Sequence, residues 1–485
     1  MSLPVSLPVS PSTRLLTQDQ IEFIHASSLR VLEEIGVAVH EPSALRLLGD
    51  AGARVDHRTD VVSIPGSLVS DALAKAPKAI KLYSRDHKND VTLQGDNVYY
   101  SPGSTTPFIL DRSGAVRKPV SADLVNLAKL VDALENIQVQ STALVVSDVA
   151  DSIADLQRLF LVVKNSAKPI MTGAFNLEGL LDMKEILQIV AGGEEELAHR
   201  PIAVFCACPT SPLKWTEFAV QTLMNCGASG IPVEIVSAPQ FGTTGPATIA
   251  GSLVQLNAEF LSGLVISQLV NPGAPIIYGG APAAFDMRYC TPGSGAIEAM
   301  MAVSAYAQVA KYYGFPTSAY TGDTDAKNID AQAGFESGLG IVLATLAGVN
   351  IVSGPGGMNF LNIQSLEKLI VDDAICGMAQ RLKKGIVVSE ETTAHDAMKK
   401  VGPGGHYLNL RHTLEWVRKE QFVPRSVVDR QSIETWKAKG SRDSAHNAAE
   451  VVDKLLREHT PEPLPSDTEM RLDDAMNKMM KRRAI

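Results

Sequence analysis

Short apolar runs, loops rich in Gly, Pro, Ser and Thr, and amphipathic stretches of helical period alternate along residues 95–354. The apolar runs predict strands over Asn97–Ser101, Ile137–Val145, Pro169–Thr172, Pro201–Cys206, Pro232–Ser237, Pro275–Gly279, Pro316–Thr321 and Val349–Ser353. They show little alternation, as expected of parallel strands covered on both faces. Five open with proline, which is tolerated as the first residue of a strand because its missing N–H costs no ladder bond. The intervening periodicity predicts helices over Ser121–Glu135, Asp151–Lys164, Leu177–Ile189, Trp215–Cys226, Thr248–Leu269, Ala296–Tyr312, Ala331–Leu346 and Gln364–Arg381. Ser121 and Asp151 stand where N-caps belong. Eight strands, each followed by a helix and recurring about every 30–45 residues, predict a (β/α)8 barrel. A doubly wound open sheet is the rival, and no Gly-x-Gly-x-x-Gly turn favours it.

The repeat leaves flanks on either side. The chain divides into an N-terminal α/β extension over 1–94, a barrel over 95–385 and a helical C-terminal extension over 386–485. The first flank predicts helices over Asp19–Gly36 and Pro42–Ala51, a strand over Val61–Ile64 and a further helix to Ala76. The last helix ends in the basic run Lys478–Arg483, which complements the negative end of its dipole. It reads as a solvated terminal helix, with an oligomer contact as the alternative.

Composition narrows the function. A net charge of −9 disfavours nucleic acid and anionic membrane as partners. Five scattered cysteines and an N-terminus without a basic n-region and apolar stretch predict a reduced, cytoplasmic protein. The longest apolar segment, Ile249–Val270, carries Gln255, Asn257, Glu259 and Gln268, and so reads as a buried helix rather than a membrane span.

Barrel active sites lie at the C-terminal ends of the strands. The loops there offer hydroxyls, small residues and aromatics, including Tyr99, Tyr100, Phe175, Trp215, Phe241, Phe285, Tyr289, Tyr320 and Phe360. Aromatic faces attract quaternary ammonium groups. Of ten histidines only His199 lies between residues 88 and 394, just before a strand and so at the far end from the mouth. A His-rich metal site or a Ser–His–Asp triad therefore lacks its imidazoles unless a flank supplies His406 or His412. Cys206 and Cys208 read as buried thiols; a zinc site would need Cys290 as a third ligand. Gly354-Pro-Gly-Gly357 follows the last strand, where barrels often hold phosphate, and reads otherwise as a tight turn. Asp323 and Asp325 sit on alternate residues of a loop, suited to attract a cationic ligand or act as a base, or else to capping and pairing with Lys327.

Several segments carry a family resemblance: Val31-Leu-Glu-Glu-Ile-Gly-Val37 with Ala51-Gly-Ala-Arg-Val-Asp56, Met171-Thr-Gly-Ala-Phe-Asn176, Thr321-Gly-Asp-Thr-Asp-Ala-Lys327 running into Asp330-Ala-Gln-Ala-Gly334, Ala347-Gly-Val-Asn-Ile351 and Gly402-Pro-Gly-Gly-His-Tyr-Leu408. In these the chain resembles the trimethylamine:corrinoid methyltransferase superfamily, in its branch without pyrrolysine that includes glycine betaine methyltransferases. The resemblance implies a (β/α)8 barrel that moves a methyl group from an amine to the Co(I) of a corrinoid (cobalamin) carried by a separate protein, with none bound tightly by this chain. The missing pyrrolysine turns the expectation from trimethylamine toward a quaternary amine such as glycine betaine. Tyr320, Asp323, Ser353 and Phe360 are then expected to line the substrate site, with Tyr100 and Gln240 beside them and no protein metal. A homo-oligomer is expected. Two other readings remain: a barrel lyase or isomerase acting on a small phosphorylated substrate at Gly354–Gly357, and a quaternary-amine sensor without turnover.

Overall fold

The computed structural model describes residues 9–103, 105–424 and 427–483. Eight parallel strands form the central sheet: β1 (Tyr99–Ser101), β2 (Gln140–Ser141), β3 (Ile170–Thr172), β4 (Ala203–Ala207), β5 (Val233–Ser237), β6 (Ile276–Gly280), β7 (Thr317–Ala319) and β8 (Ile351–Ser353). They are ordered β1-β8-β7-β6-β5-β4-β3-β2. Between β1 and β2 the gap is bridged by the Val139 N–H donating to the Tyr100 carbonyl at 3.0 Å. The fold is a TIM barrel. Strands β1 and β2 are shorter than the apolar runs suggest. The rest of the expected second strand lies outside the ladder, held by bonds such as the Thr142 N–H to the Met171 carbonyl at 3.2 Å and by an isolated bridge between Thr106 and Leu144.

The opening prolines explain themselves in the ladder. The carbonyls of Pro169, Pro232, Pro275 and Pro316 accept from Gln140, Phe205, Val233 and Tyr278 on the preceding strands at 2.7–3.1 Å. Each proline keeps its acceptor in the sheet, and its absent donor lies before the ladder begins.

Outside the strands lie α1 (Ser121–Ala133), α2 (Ala154–Asn165), α3 (Leu177–Ala191), α4 (Glu217–Ala228), α5 (Ile249–Val270), α6 (Ile297–Tyr312), α7 (Ala331–Leu346) and α8 (Leu366–Lys383). Two expected caps differ. Val120 caps α1, and Ser121 donates both its N–H and its hydroxyl to Asp148. Asp151 begins a 3-10 turn that leads into α2. Trp215 precedes α4, in a short strand Lys214–Trp215 that pairs with Val37–Val39 of the N-terminal extension. That pairing joins the extension to the barrel.

Helix α5 is long and apolar enough to cross a membrane, but most of it is buried within the protein. Its residues Gln255, Asn257, Glu259 and Gln268 all have hydrogen-bond partners. Glu259 accepts from Ser211 Oγ, the Leu213 N–H and Ser237 Oγ, tying the loop after β4 to the helix layer.

The barrel is plugged at its N-terminal end. A hairpin, Ile80–Leu82 paired with Val91–Leu93, packs on the inward residues Val139, Met171, Val204, Ile277 and Ile351. Burial of such a cluster contributes roughly 1.5–3 kcal/mol for each large side chain. The mouth at the C-terminal end is therefore the open side of the barrel.

The C-terminal extension corrects an expectation. Helix α9 (Ser444–Glu458) packs on α8, and α10 (Ser466–Arg483) packs on α3. Leu472, Ala475, Met476 and Met479 of α10 are buried, so this helix is not a solvated one. Its last described residue, Arg483, has a side chain only 2% exposed and pairs with Asp182 at 2.7 Å and Asp155 at 3.3 Å. The basic end serves two buried acids, which hold it more firmly than a helix dipole could.

Candidate functional site

Inward and outward positions alternate at the mouth. Val233, Ile235 and Ser237 of β5 face the helices, as the Ser237–Glu259 hydrogen bond records, so Glu234 projects into the barrel. It accepts from the Tyr320 hydroxyl at 2.6 Å and from Ser318 Oγ at 2.7 Å, and it also meets the Cys206 thiol. Burial pushes the Glu234 carboxyl above its ordinary value, against the pull of these three donors. Gly279 on the neighbouring β6 has no room for a side chain. A Cβ there would stand 2.9 Å from Ser318 Oγ and 2.8 Å from the Ile235 carbonyl.

This acid backs a cavity of about 310 Å3, a size typical of small-molecule sites. Tyr320, Cys206, Cys208, Met171 and Ser141 contribute to its wall. Phe175 also lines it and is 42% exposed, so the cavity opens to the surface. Cys206 and Cys208 bring their sulfurs within 3.3 Å, and the hydrogen bond between them with burial raises Cys206 well above the usual thiol range. Cys206 is accordingly a protonated thiol, poorly suited as a nucleophile. Cys290 does not line this wall. Among the described residues no group of three or more His, Cys, Asp or Glu is arranged to hold a metal ion.

On the β2–β3 side the wall includes Arg158, which reaches in from α2 and is almost wholly buried. Its Nε donates to the Thr142 carbonyl at 2.8 Å; its Nη2 donates to the same carbonyl, to Thr142 Oγ1 and to Thr105 Oγ1. All these acceptors are neutral. Nη1 has no partner among the described residues, and the guanidinium lies 5.1 Å from the centre of the Phe175 ring. Burial lowers Arg158 to about 10, with Asp155 pulling the other way, so it stays cationic at neutral pH. Asp155 itself accepts the Phe175 N–H at 3.0 Å and pairs with Arg483, linking α10 to the loop that carries Phe175.

Of the six residues expected from the sequence, Tyr320 lines this cavity and the others stand apart from it. Tyr100 is turned to the helix layer, where its hydroxyl meets Thr345 Oγ1 of α7 at 2.8 Å. The strand alternation that sends Tyr99 onto the barrel floor sends its neighbour outward. Gln240 is engaged in its own loop, its N–H donating to Thr244 Oγ1 at 2.9 Å. Asp323 is buried beside β8, where Ser294 Oγ lies 2.6 Å from it and 3.0 Å from Asp325. One hydroxyl hydrogen cannot satisfy both acids, and burial raises Asp323 to about 7. Ser353 Oγ is buried at the end of β8 without a partner among the described residues. Phe360 belongs to an outer groove with Asp325, Phe285 and Lys327, whose ammonium lies 4.4 Å from its ring centre.

Two other candidates are also placed. The Gly356 N–H donates to Asp372 at 2.7 Å and the Gly357 N–H to the Gly354 carbonyl at 2.9 Å. A turn whose amides are committed, with a carboxylate beside them, is a poor phosphate cradle. His412 stacks on Trp416 within the C-terminal extension, and neither it nor His406 lines the cavity.

Glu234 and Arg158 are the residues missed in the sequence. The signal for Glu234 was a single acid inside an otherwise apolar strand, Pro232-Val-Glu-Ile-Val236. Arg158 looks like an ordinary polar position of an amphipathic helix.

The chain is 35% identical over 464 residues to a glycine betaine methyltransferase of Desulfitobacterium hafniense (strain Y51), covering 95% of this chain and 96% of that protein. It is 34% identical over 459 residues to the trimethylamine methyltransferase MttB of Methanosarcina barkeri (strain Fusaro / DSM 804), covering 93% and 92%. The crystal structure of the Methanosarcina barkeri monomethylamine methyltransferase MtmB shares the fold, with a TM-score of 0.56, 11% identity, and 97% of this chain and 88% of that one covered. Residues 3–484 match the trimethylamine methyltransferase (MTTB) family, and the chain belongs to that family.

Proposed function

We propose that the protein takes a methyl group from a small quaternary amine, glycine betaine or a near relative, and passes it to the Co(I) corrinoid of a separate carrier protein. The observation that carries this reading is the buried acid Glu234, held by Ser318 and by Tyr320, which itself lines a cavity at the open end of the barrel. A carboxylate in a place of low dielectric attracts a cation strongly, and the arriving ammonium offsets the cost of ionising the buried acid.

The donor set fits an external methyl acceptor. The Cys206 thiol is held protonated, and the cavity opens beside the exposed Phe175, where a macrocycle on another protein can approach. The corrinoid would supply the two-electron nucleophile for the methyl carbon, while the amine departs neutral with the C–N electron pair. The leaving group needs no proton, so Glu234 is not required as a general acid. The chain's task is to hold the cation, aim one methyl outward and keep water away. Full relatives that bear glycine betaine and trimethylamine methyltransferase names support the amine class.

The test uses purified protein, a reduced corrinoid carrier and glycine betaine, with dimethylglycine followed by NMR and the cobalt state by absorbance. Equal formation of dimethylglycine and methylated corrinoid is expected. No demethylated product from any of a panel of betaines would overturn the reading.

A further inference from the structure

Arg158 is a cation placed where a cation-binding site should avoid one. It sits in the wall of the same cavity as Tyr320 and is almost wholly buried. Burying a guanidinium costs several kcal/mol unless its charge and donors are answered. Here the answer is incomplete. Its hydrogen bonds go to neutral threonine oxygens, and Nη1 has no partner among the described residues. Asp155 acts on it only through space, its oxygens being bonded to Arg483 and the Phe175 N–H.

The site is nevertheless built to hold the guanidinium in one pose. Nε and Nη2 both clasp the Thr142 carbonyl, and Phe175 lies over the group. A planar guanidinium fixed on one side with a free donor on the other is suited to an anionic oxygen acceptor. In the barrel, β3 and β7 lie four strands apart in either direction, so Arg158 and Phe175 on the β2–β3 side face Tyr320 across the mouth, and the Tyr320 hydroxyl donates to Glu234 on β5. The cavity therefore has a cation in its wall and, directly behind Tyr320 and Cys206 of the same wall, a buried acid.

Resting on the function proposed above, we propose that Arg158 is a specificity-determining residue: its Nη1 binds the carboxylate of a zwitterionic substrate whose quaternary ammonium lies toward Glu234. The exposed Phe175 ring is the element that yields as the carboxylate reaches Nη1. A substrate with ammonium and carboxylate on one short chain satisfies both the guanidinium and the buried acid. A quaternary amine lacking the carboxylate leaves Arg158 unanswered and meets its repulsion. Trimethylamine and tetramethylammonium are selected against on the same ground.

Equilibrium binding, without corrinoid, tests this separately from turnover. Glycine betaine, its methyl ester and tetramethylammonium are titrated into the wild-type chain and into Arg158→Gln and Arg158→Lys by calorimetry. Wild type is expected to bind the betaine at least tenfold more tightly than the ester, which keeps the ammonium but lacks the negative charge. Arg158→Gln should bind the two alike, and Arg158→Lys should recover part of the difference. The ester comparison leaves the protein untouched, so a misfolded variant cannot imitate the result. Equal wild-type affinities for betaine and ester, or a preference that survives in both variants, would overturn the role of Arg158 alone. A wild-type chain that binds none of the three cations overturns the functional reading on which it rests.

Discussion

Two buried carboxylates at the same end of the barrel live in different surroundings. Glu234, on β5, has three donors, two of which, Tyr320 and Cys206, line an open cavity. Asp323, after β7, shares one serine hydroxyl with Asp325 and is closed in against β8. Both are raised by burial. The difference lies in access. An acid destabilised by burial beside a cavity can be relieved by a cationic ligand, whereas one sealed in a corner is relieved only by its proton and costs stability once it ionises. A raised pKa alone does not mark a functional group; a raised pKa with a route to a ligand does.

The sharpest way to break this comparison is to remove each charge in turn. Glu234→Gln keeps the shape and most hydrogen bonds but abolishes the negative charge. Methyl transfer should fall about 100-fold or more, a loss comparable to removing one preorganised electrostatic contact. Folding should be preserved, because the buried acid contributes no stability through its charge. Steady-state rates with a fixed carrier concentration, alongside a thermal melt, measure both effects. Retained activity would move the cation site away from β5.

Tyr320→Phe sharpens the same side. It deletes the 2.6 Å donor to Glu234, and a hydrogen bond to a charged group is worth about 1.5–3 kcal/mol. Activity at neutral pH should fall about tenfold. The ionised acid also loses a stabilising donor, so its titration moves to still higher pH. Cation binding strengthens as Glu234 ionises, and the rising limb of the pH profile should therefore shift upward in the variant. An unshifted limb would show that Glu234 does not govern it.

Much of the scaffold was legible, and the reasons are local. Proline before β3, β5, β6 and β7 marks the strand starts because only there does its carbonyl serve the sheet without its nitrogen being missed. Side-chain direction was harder to read. In strands of two to five residues buried on both faces, apolar content gives no sign of which positions face inward. Tyr99 and Tyr100 look equivalent, yet one packs at the floor and the other bonds to α7. The conspicuous aspartates lie in a loop, while the acid behind the cavity wall lies inside a hydrophobic strand. Arg158 could not be singled out because its burial depends on loops from β1, β2 and β3 meeting around it.

On the Asp323 side the expected effect is on stability. An aspartate at about 7 instead of its ordinary 3.8 binds a proton in the folded chain that the unfolded chain has lost. Stability from this group is therefore present below about pH 4 and is lost as pH rises toward 7. Asp323→Asn removes that loss. At pH 8 it should raise the free energy of unfolding by about 1–3 kcal/mol, with the gain fading toward pH 4, and leave methyl transfer within about threefold. A gain that is the same at pH 4 and pH 8 would show that the proton is not its cause.

The smallest effect is expected at Phe360, the aromatic that follows the glycine turn. Its ring lies under Lys327 in a groove with Phe285 and Asp325, outside the cavity that Tyr320 lines. Phe360→Ala removes one cation–π contact at a partly exposed site, worth about 0.5–1 kcal/mol. Substrate affinity depends on the charges of Glu234 and Arg158, which this change does not touch, so KM for the amine should stay within twofold. The carrier protein is the discriminating variable. If the outer groove takes part in docking, the loss will appear in the concentration of carrier needed for half-maximal rate and leave the amine dependence alone. A tenfold rise in KM for the amine would instead join the two regions into one site and end the distinction between the open acid and the sealed one.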